Sequence, residues 1–162
     1  MVFKYCPTCG ERLIDRDIGD EGPTPFCEKC GRPWFCFSYP CVLCLVIDKN
    51  ENIALIKQSY VSNHYVCVAG YVKQAETIED AAMREVKEET GLQVQSLRYL
   101  KSYYYSKRDH LMHGFICTVE QSDFALSSEV EEARWVTLQE AMELMRDGSV
   151  AKELLNDYMR LQ

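Results

Sequence analysis

The sequence has no hydrophobic run long enough to cross a membrane and no excess of basic residues. Its longest apolar stretch, residues 41–47, is the length of a β-strand, far short of the ~20 residues that span a bilayer. The first residues lead directly into a cysteine motif without a secretory or transit pattern, so we expect a cytoplasmic protein. The net charge of −7 opposes binding to a nucleic-acid backbone, which requires a concentrated basic face.

The composition is that of a folded protein with one main domain and a small appendage. Of the 162 residues, 47% are hydrophobic and 27% are charged, which are ordinary values for a globular chain. Residues 1–33 are rich in Cys, Gly, Pro and Asp, and a hydrophobic core begins near Trp34. We therefore predict a small domain at 1–33 and a larger one at 34–162.

Nine cysteines are present, and four of them form two C-x-x-C-G motifs separated by a polar loop. The four are Cys6, Cys9, Cys27 and Cys30. Two such pairs are typical of a zinc ribbon, in which four thiolates close a tetrahedral structural site. Disulfides or a redox pair are the alternatives. The basic and acidic residues of 1–33 nearly cancel, which is a further argument against nucleic-acid binding.

The other part of the chain alternates predicted strands and helices. Strands are expected at 41–47, 53–57, 65–69, 94–105, 112–119 and 134–136, and helices at 77–90, 137–146 and 150–161. Thr77 is a candidate cap for the first helix and Gly91 a candidate left-handed residue after it. This interleaving predicts an α/β fold with α/β/α layers.

The first predicted helix carries an acidic cluster. Glu85, Glu88 and Glu89 are spaced at i, i+3 and i+4, so they share one side of the helix. All three lie near the helix C-terminus, where the helix dipole already disfavours negative charge. Such a cluster indicates a missing cation, and oxygen ligands alone favour Mg²⁺ or Mn²⁺. A solvated acidic face is the alternative.

The spacing around this helix is that of a longer motif. Residues 70–92 follow the pattern G-x5-E-x7-R-E-U-x-E-E-x-G-U, where U is aliphatic. The pattern resembles the Nudix box at every specified position. The resemblance implies a Nudix α/β/α sandwich with a mixed sheet, preceded here by the small N-terminal zinc ribbon. It also implies metal-dependent hydrolysis of a nucleoside diphosphate that is linked to another moiety.

The resemblance also implies roles for single residues. Glu85 and Glu89 match the main Mg²⁺ or Mn²⁺ ligands, and Glu88 matches a further ligand or a residue behind the ligands. Arg84 matches the arginine that orients a carboxylate, and the carbonyl of Ala69 matches a backbone ligand. Glu129 resembles an additional metal-binding acid, with Glu131 as the alternative. Glu85 is the first candidate for the general base.

A zinc ribbon followed by a Nudix box is similar to the NADH pyrophosphatase group. That likeness implies NADH or NAD, ADP-ribose or a similar dinucleotide as substrate. The group's signature S-Q-P-W-P-F-P is replaced here by the sequence Ser-Tyr-Tyr-Tyr-Ser-Lys-Arg at 102–108. Tyr103 and Tyr105 are expected to share a strand face and to stack on a base, with packing in the sheet as the alternative. Phe35, after the ribbon, is a further candidate substrate contact.

Two other functions compete with this interpretation. One is a housecleaning pyrophosphatase of free nucleoside triphosphates. The other is a Nudix module that senses a ligand or binds nucleic acid without catalysis, and the complete set of box glutamates argues against it. We expect a nucleoside diphosphate-linked small molecule as the partner and no membrane contact. The oligomeric state is left open, with a homodimer among the states considered.

Overall fold

Residues 3–58 and 64–161 are described by a computed structural model of the chain. The chain divides into two compact units, Met1–Tyr39 and Pro40–Gln162. The division falls later than the boundary after residue 33 that the composition predicts, because Trp34 bonds to Pro25 and its ring and that of Phe37 pack against Phe3.

The first unit is a three-stranded antiparallel sheet with almost no hydrophobic core. Its strands are β1 (Ile14–Asp17), β2 (Pro23–Cys27) and β3 (Arg32–Pro33), in the order β1-β2-β3, with a single 3-10 turn at Gly19–Glu21. Among its described residues, the buried ones are Cys6, Thr24, Phe26 and Cys27. A unit this small cannot obtain its stability from apolar burial alone and needs another source.

The second unit is built on a six-stranded sheet. Its strands are β4 (Tyr39–Ile47), β5 (Ile53–Lys57), β6 (Val68–Tyr71), β7 (Val94–Tyr105), β8 (His110–Val119) and β9 (Glu132–Val136). The order is β7-β8-β4-β5-β9, and β6 pairs with the first half of β4. The helices are α1 (Ile78–Thr90), α2 (Leu138–Leu144) and α3 (Val150–Met159). Within the described ranges, no helix is both long and apolar enough to cross a bilayer.

The central strand β4 shows why helices cover both faces of this sheet. Successive side chains of a strand point to opposite faces, and residues 41–47 are all buried. Leu43, Leu45 and Ile47 belong to a core that includes Ala141 of α2 and Leu154 of α3. The alternate residues belong to a second core, which α1 completes; they are Val42, Cys44 and Val46. These two cores give the α/β/α layers that the sequence predicts.

Helix α1 begins and ends where the sequence predicts. The Thr77 hydroxyl oxygen accepts a hydrogen bond from the Asp80 amide at 3.1 Å and the hydroxyl donates to the Asp80 carboxylate at 2.8 Å. Gly91 has a φ of 76° and its amide bonds to the carbonyl of Lys87. The predicted strand at 65–69 is displaced: β6 begins at Val68, and Val66 forms only an isolated bridge. Helices α2 and α3 are also shorter than predicted.

Candidate functional site

The four cysteines of the two motifs converge on one point in the first unit. Their sulfur atoms all lie within 4.8 Å of one another. The Sγ–Sγ distance is 3.8 Å for Cys6 and Cys30 and 3.5 Å for Cys9 and Cys27. Four sulfurs at the usual Zn–S distance of ~2.3 Å from a tetrahedral ion would be ~3.8 Å apart. The arrangement therefore has the size of a zinc site with no open position.

Each pair of cysteines is held by a local backbone hydrogen bond. The amides of Gly10 and Gly31 bond to the carbonyls of Cys6 and Cys27, and both glycines have positive φ angles, 73° and 65°. Each pair of cysteines thus sits in a tight turn that a side chain at the glycine would strain. Burial alone would raise the pKa of the Cys6 thiol, but hydrogen bonds from the Cys9 and Thr8 backbones lower it to about 6. Burial raises the pKa of the Cys27 thiol, and a hydrogen bond with Cys9 raises the pKa of the Cys30 thiol to about 12.

The second unit places its acidic residues around one arginine, at the junction of β6, the following loop and α1. The Nε and Nη2 atoms of Arg84 donate to the two oxygens of Glu76 at 2.6 and 2.9 Å. Its Nη1 atom donates to Glu85 at 2.6 Å and to Glu88 at 3.0 Å. Nη2 also donates to the carbonyl of Tyr71 at 3.0 Å. Arg84 therefore bonds at once to the loop before α1, to the end of β6 and to two carboxylates of α1.

The glycine that ends the predicted strand makes room for Glu85. A Cβ atom added at Gly70 would lie 2.0 Å from both Cδ and Oε1 of Glu85. No side chain other than hydrogen fits at position 70 while the carboxylate keeps this place. The close approach of β6 to α1 thus depends on the first glycine of the motif.

Glu89 is the most buried member of the acidic cluster. Its residue surface is 4% exposed, and its Oε1 accepts a hydrogen bond of 2.6 Å from Nε2 of Gln58. Its Oε2 has no hydrogen-bond partner in the part of the chain that the structure describes. Burial, together with the nearby charge of Glu85, raises the pKa of the Glu89 carboxyl to about 7. A buried carboxylate oxygen without a partner is costly, and a bound cation would remove that cost.

The carboxylates open into a cavity of about 650 Å³. Its acidic lining consists of Glu85, Glu88, Glu89 and Glu129. Aromatic, imidazole and guanidinium groups also line it, including Tyr71, Tyr105, Arg108, His110 and Arg146. Cavities of this size hold small organic ligands, so the acidic cluster has space for one beside it.

Comparison with known proteins decides the family. The NUDIX domain model matches residues 38–158, which is most of the chain and includes the whole acidic cluster. The chain belongs to the Nudix family. The predicted family and the predicted fold, a Nudix sandwich with a mixed sheet, are thereby confirmed.

Curated relatives match nearly the full chain at low identity. The chain is 29% identical over 160 residues to the NAD-capped RNA hydrolase NudC of Edwardsiella ictaluri, covering 98% of this chain and 61% of that protein. It is 25% identical over 158 residues to NudC of Photobacterium profundum, covering 97% of this chain and 58% of that protein. The chain thus spans about three fifths of the length of these relatives.

Solved structures agree on the fold. A Nudix hydrolase from Nitrosomonas europaea is similar with a TM-score of 0.77 and 24% identity, over 99% of this chain and 92% of that one. The Nudix domain of NrtR from Shewanella oneidensis, solved with ADP ribose, is similar with a TM-score of 0.69 and 12% identity, over 85% and 94%. At these identities the likeness shows the fold alone.

Within this Nudix domain, most of the predicted metal residues lie together. Ala69, the three box glutamates and Glu129 all line the cavity. Glu131, the alternative to Glu129, is not among the lining residues; its amide bonds to the carbonyl of Lys57. Glu88 is the most open of the box glutamates, with 51% of its side chain exposed and contacts to Arg84 and Lys73. Among the described residues, the four cysteines are the only group of three or more such side chains whose ligand atoms all lie within 4.8 Å of one another, so the carboxylates are spread more widely than the thiols.

The predicted substrate residues are separated. Tyr105 lines the cavity, but Tyr103 is 4% exposed, packs in the core with α3 and donates its hydroxyl to Asp157 at 3.0 Å. Tyr103 therefore makes a structural contact to α3 in place of the expected stacking surface. Phe35 lies in the first unit and is 50% exposed.

Sequence reasoning did not single out Gln58, Tyr71 or Arg146 as site residues. Gln58 follows the charged Lys57 at the end of β5, so the sequence pattern does not distinguish it from an exposed residue, and its burial is seen only in the structure. Tyr71 follows the first glycine of the Nudix box, which also places it at the cavity. Arg146 follows α2, and no local pattern distinguishes it from other exposed arginines.

Proposed function

We propose that the chain is a Mg²⁺- or Mn²⁺-dependent hydrolase of nucleoside diphosphate derivatives, with NADH or NAD, ADP-ribose or a similar dinucleotide as substrate. The observation that carries the proposal is the acidic cluster at the cavity, above all the buried Glu89 oxygen that has no hydrogen-bond partner among the described residues. Such an atom beside other carboxylates suits a divalent cation.

The donor set fits a hard cation. Glu85, Glu88, Glu89 and Glu129 offer only oxygen atoms, and the carbonyl of Ala69 is the proposed fifth donor, since all five residues line one cavity. Oxygen-only sets select Mg²⁺ and Mn²⁺ over zinc. When bound, the ion supplies charge neutralisation at the diphosphate and a more acidic water.

The side chains of the site supply orientation and a proton acceptor. Arg84 holds the Glu85 carboxylate by a charge-assisted hydrogen bond of 2.6 Å and fixes the loop through Glu76. We propose a carboxylate of the cluster, with Glu85 as first candidate, as the acceptor of the proton of the attacking water. The water oxygen bonds to one phosphorus, the bridging P–O bond breaks, and the second phosphate leaves with the bridging oxygen.

The dinucleotide class is supported by the cavity lining and by the relatives. An aromatic ring at Tyr105, another at Tyr71 and a guanidinium group at Arg108 share the cavity with the carboxylates, so one molecule with a base and phosphates can contact all of them. The curated relatives are called NAD-capped RNA hydrolases. The net charge of −7 favours the free dinucleotide over a nucleic acid, and a cytoplasmic location belongs to the same proposal.

The four cysteines are proposed to hold one structural zinc ion. The support is the fit between the Sγ–Sγ distances of 3.5 and 3.8 Å and the edge of a zinc–sulfur tetrahedron. A site closed by four thiolates has no position for a reacting water, so we assign it to stability and not to hydrolysis.

A hydrolysis panel with Mg²⁺ tests the function. NADH, NAD, ADP-ribose, a nucleoside triphosphate and NAD-capped RNA are compared by kcat/KM, and we expect the free dinucleotides to be cleaved best. Glu85→Gln and Glu89→Gln should each lower turnover by ~10²-fold or more, because they remove charge stabilisation from the transition state.

The matched control is Glu143→Gln, which makes the same change at an exposed position of α2 outside the cavity lining. It should leave turnover unchanged. Preference for the triphosphate or for capped RNA would replace the proposed substrate class. Full turnover in Glu85→Gln and Glu89→Gln would reject the proposed site.

A further inference from the structure

Gln58 makes a buried hydrogen bond to the acidic cluster. It lies directly after β5, is 7% exposed, and its Nε2 donates to Oε1 of Glu89 at 2.6 Å. Both residues line the cavity. The other oxygen of the same carboxylate, Oε2, has no hydrogen-bond partner within residues 3–58 and 64–161. The two oxygens of Glu89 are thus unequal: Oε1 has a donor in Gln58, and Oε2 has none by hydrogen-bond geometry among the described residues.

We propose that Gln58 is a positioning residue for the metal site, which holds Oε1 of Glu89 so that Oε2 is the oxygen available to the divalent ion. This inference rests on the function proposed above, since it assumes that Glu89 is a metal ligand. It assigns to a residue outside the Nudix box a part in building the site that the box glutamates form.

The first physical reason is orientation. The terminal torsion of a glutamate side chain is broad and nearly two-fold, so a carboxylate without partners rotates over a wide range. A hydrogen bond to one oxygen fixes the plane of the group and therefore the place of the other oxygen. Partners behind metal ligands commonly have this effect, and losing one typically lowers metal affinity by 10–100-fold.

The second reason is charge. A metal ligand must be an ionised carboxylate, and a buried carboxylate oxygen needs a hydrogen-bond donor. The Nε2 atom of Gln58 donates to Oε1 of Glu89 at 2.6 Å. Gln58 can provide this bond without adding a positive charge that would compete with the cation. A lysine at position 58 would bring such a competing charge.

The end of β5 also holds the segment that carries the fourth acid. The carbonyl of Lys57, next to Gln58, accepts a hydrogen bond of 2.9 Å from the amide of Glu131, two residues after Glu129. Lys57 therefore contacts the segment that follows Glu129, and Gln58 contacts α1 through Glu89.

A different result is expected if Gln58 only fills a buried position and has no part in the metal site. In that case an apolar side chain of similar size would lower stability, because Oε1 of Glu89 would lose its donor, but it would not change the binding of a metal. The affinity for a metal ion, measured without substrate, separates the two roles.

The experiment uses Mn²⁺ as the probe and the full zinc-loaded chain. Free Mn²⁺ is followed by its paramagnetic resonance signal for wild type, Gln58→Met, Glu89→Gln and the double variant. Gln58→Asn, whose shorter side chain cannot reach Glu89, is a second test should Gln58→Met not fold. Gln95→Met, at an exposed position of β7, is the matched control. Thermal melting without Mn²⁺ verifies that each variant is folded.

We expect Gln58→Met to weaken Mn²⁺ binding by ~10–100-fold and Gln95→Met to leave it unchanged. In the Glu89→Gln background, Gln58→Met should add less than ~2-fold, because a residue that acts through Glu89 has no separate effect once that ligand is gone. Unchanged binding in Gln58→Met, or an equal loss in both backgrounds, overturns the inference alone. Wild-type affinity in Glu89→Gln overturns the proposed metal site, and this inference with it.

Discussion

Replacing Gly70 by alanine tests whether the acidic site depends on the close approach of β6 to α1. The backbone φ of Gly70 lies outside the left-handed region, so alanine introduces no backbone strain there. The only new group is one methyl. That methyl would lie 2.0 Å from Cδ and Oε1 of Glu85 and 2.5 Å from Oε2, so the change acts directly on a proposed metal ligand.

The size of the effect follows from these distances. Ordinary van der Waals contact begins at 3.4 Å, so the carboxylate must move by 3.4 − 2.0 = 1.4 Å. Arg84 holds Oε1 at 2.6 Å, and a shift of this size displaces the carboxylate from that bond. A displacement of ~1 Å in a catalytic arrangement can lower the rate by ~10²-fold, which is ~2.7 kcal/mol of transition-state stabilisation. We therefore expect kcat/KM of Gly70→Ala to fall by ~10²-fold or more.

The assay measures kcat/KM with the best substrate of the panel, Mn²⁺ affinity without substrate, and thermal stability. Overpacking of this kind typically costs ~1–3 kcal/mol of unfolding free energy. The double variant Gly70→Ala/Glu85→Ala provides the control, because it removes the group that the methyl meets. Compared with Glu85→Ala alone, the added methyl should then cost little stability.

Two results would contradict this reasoning. Full activity in Gly70→Ala would mean that the Glu85 carboxylate takes part in hydrolysis from a position other than the one in this structure. A stability loss that persists in the Glu85→Ala background would mean that the methyl is opposed by something other than this carboxylate. In either case the first glycine of the box would need a different explanation.

The zinc site, the tyrosines of β7 and an ion pair of α3 can each be tested by substitution. Metal analysis should find one zinc per chain, and Cys9→Ser should lose it and unfold the sheet of the first unit, seen as earlier proteolysis of residues 1–39. Tyr105→Ala should raise KM by ~10-fold or more with little change in turnover, since a stacked base contributes ~1–3 kcal/mol of binding free energy. Tyr103→Phe should leave KM unchanged and lower the free energy of unfolding by ~1 kcal/mol. Hydrogen bonding from Lys101 lowers the pKa of the Asp157 carboxyl below its usual 3.8. The stability that this carboxylate provides is therefore complete above pH ~4 and is lost as the pH falls further. In Asp157→Asn, the free energy of unfolding should depend less on pH in that range.

The fold could be predicted where a local pattern has only one structural solution. Thr77 and Gly91 mark the ends of α1 by capping and by a positive φ, and both act over one helical turn. The apolar run of β4 likewise requires cover on two faces. The start of β6 could not be predicted, because Tyr65 and Val66 are as apolar as true strand residues and make only isolated bridges. Whether such residues join a ladder depends on partners elsewhere in the chain.

The two tyrosines show where sequence reasoning about the site ends. Tyr103 and Tyr105 are two residues apart in β7, so the period of a strand places them on one face, and Tyr104 on the other face is 59% exposed. The period does not say what covers that face. Helix α3 reaches Tyr103, whose hydroxyl bonds to Asp157, while Tyr105 lies nearer the hairpin and lines the cavity. The common side of the box glutamates could be predicted, because their spacing on one helix fixes it. The role of Tyr103 could not, because it depends on α3, a helix far along the chain, and so on the packing of the whole domain.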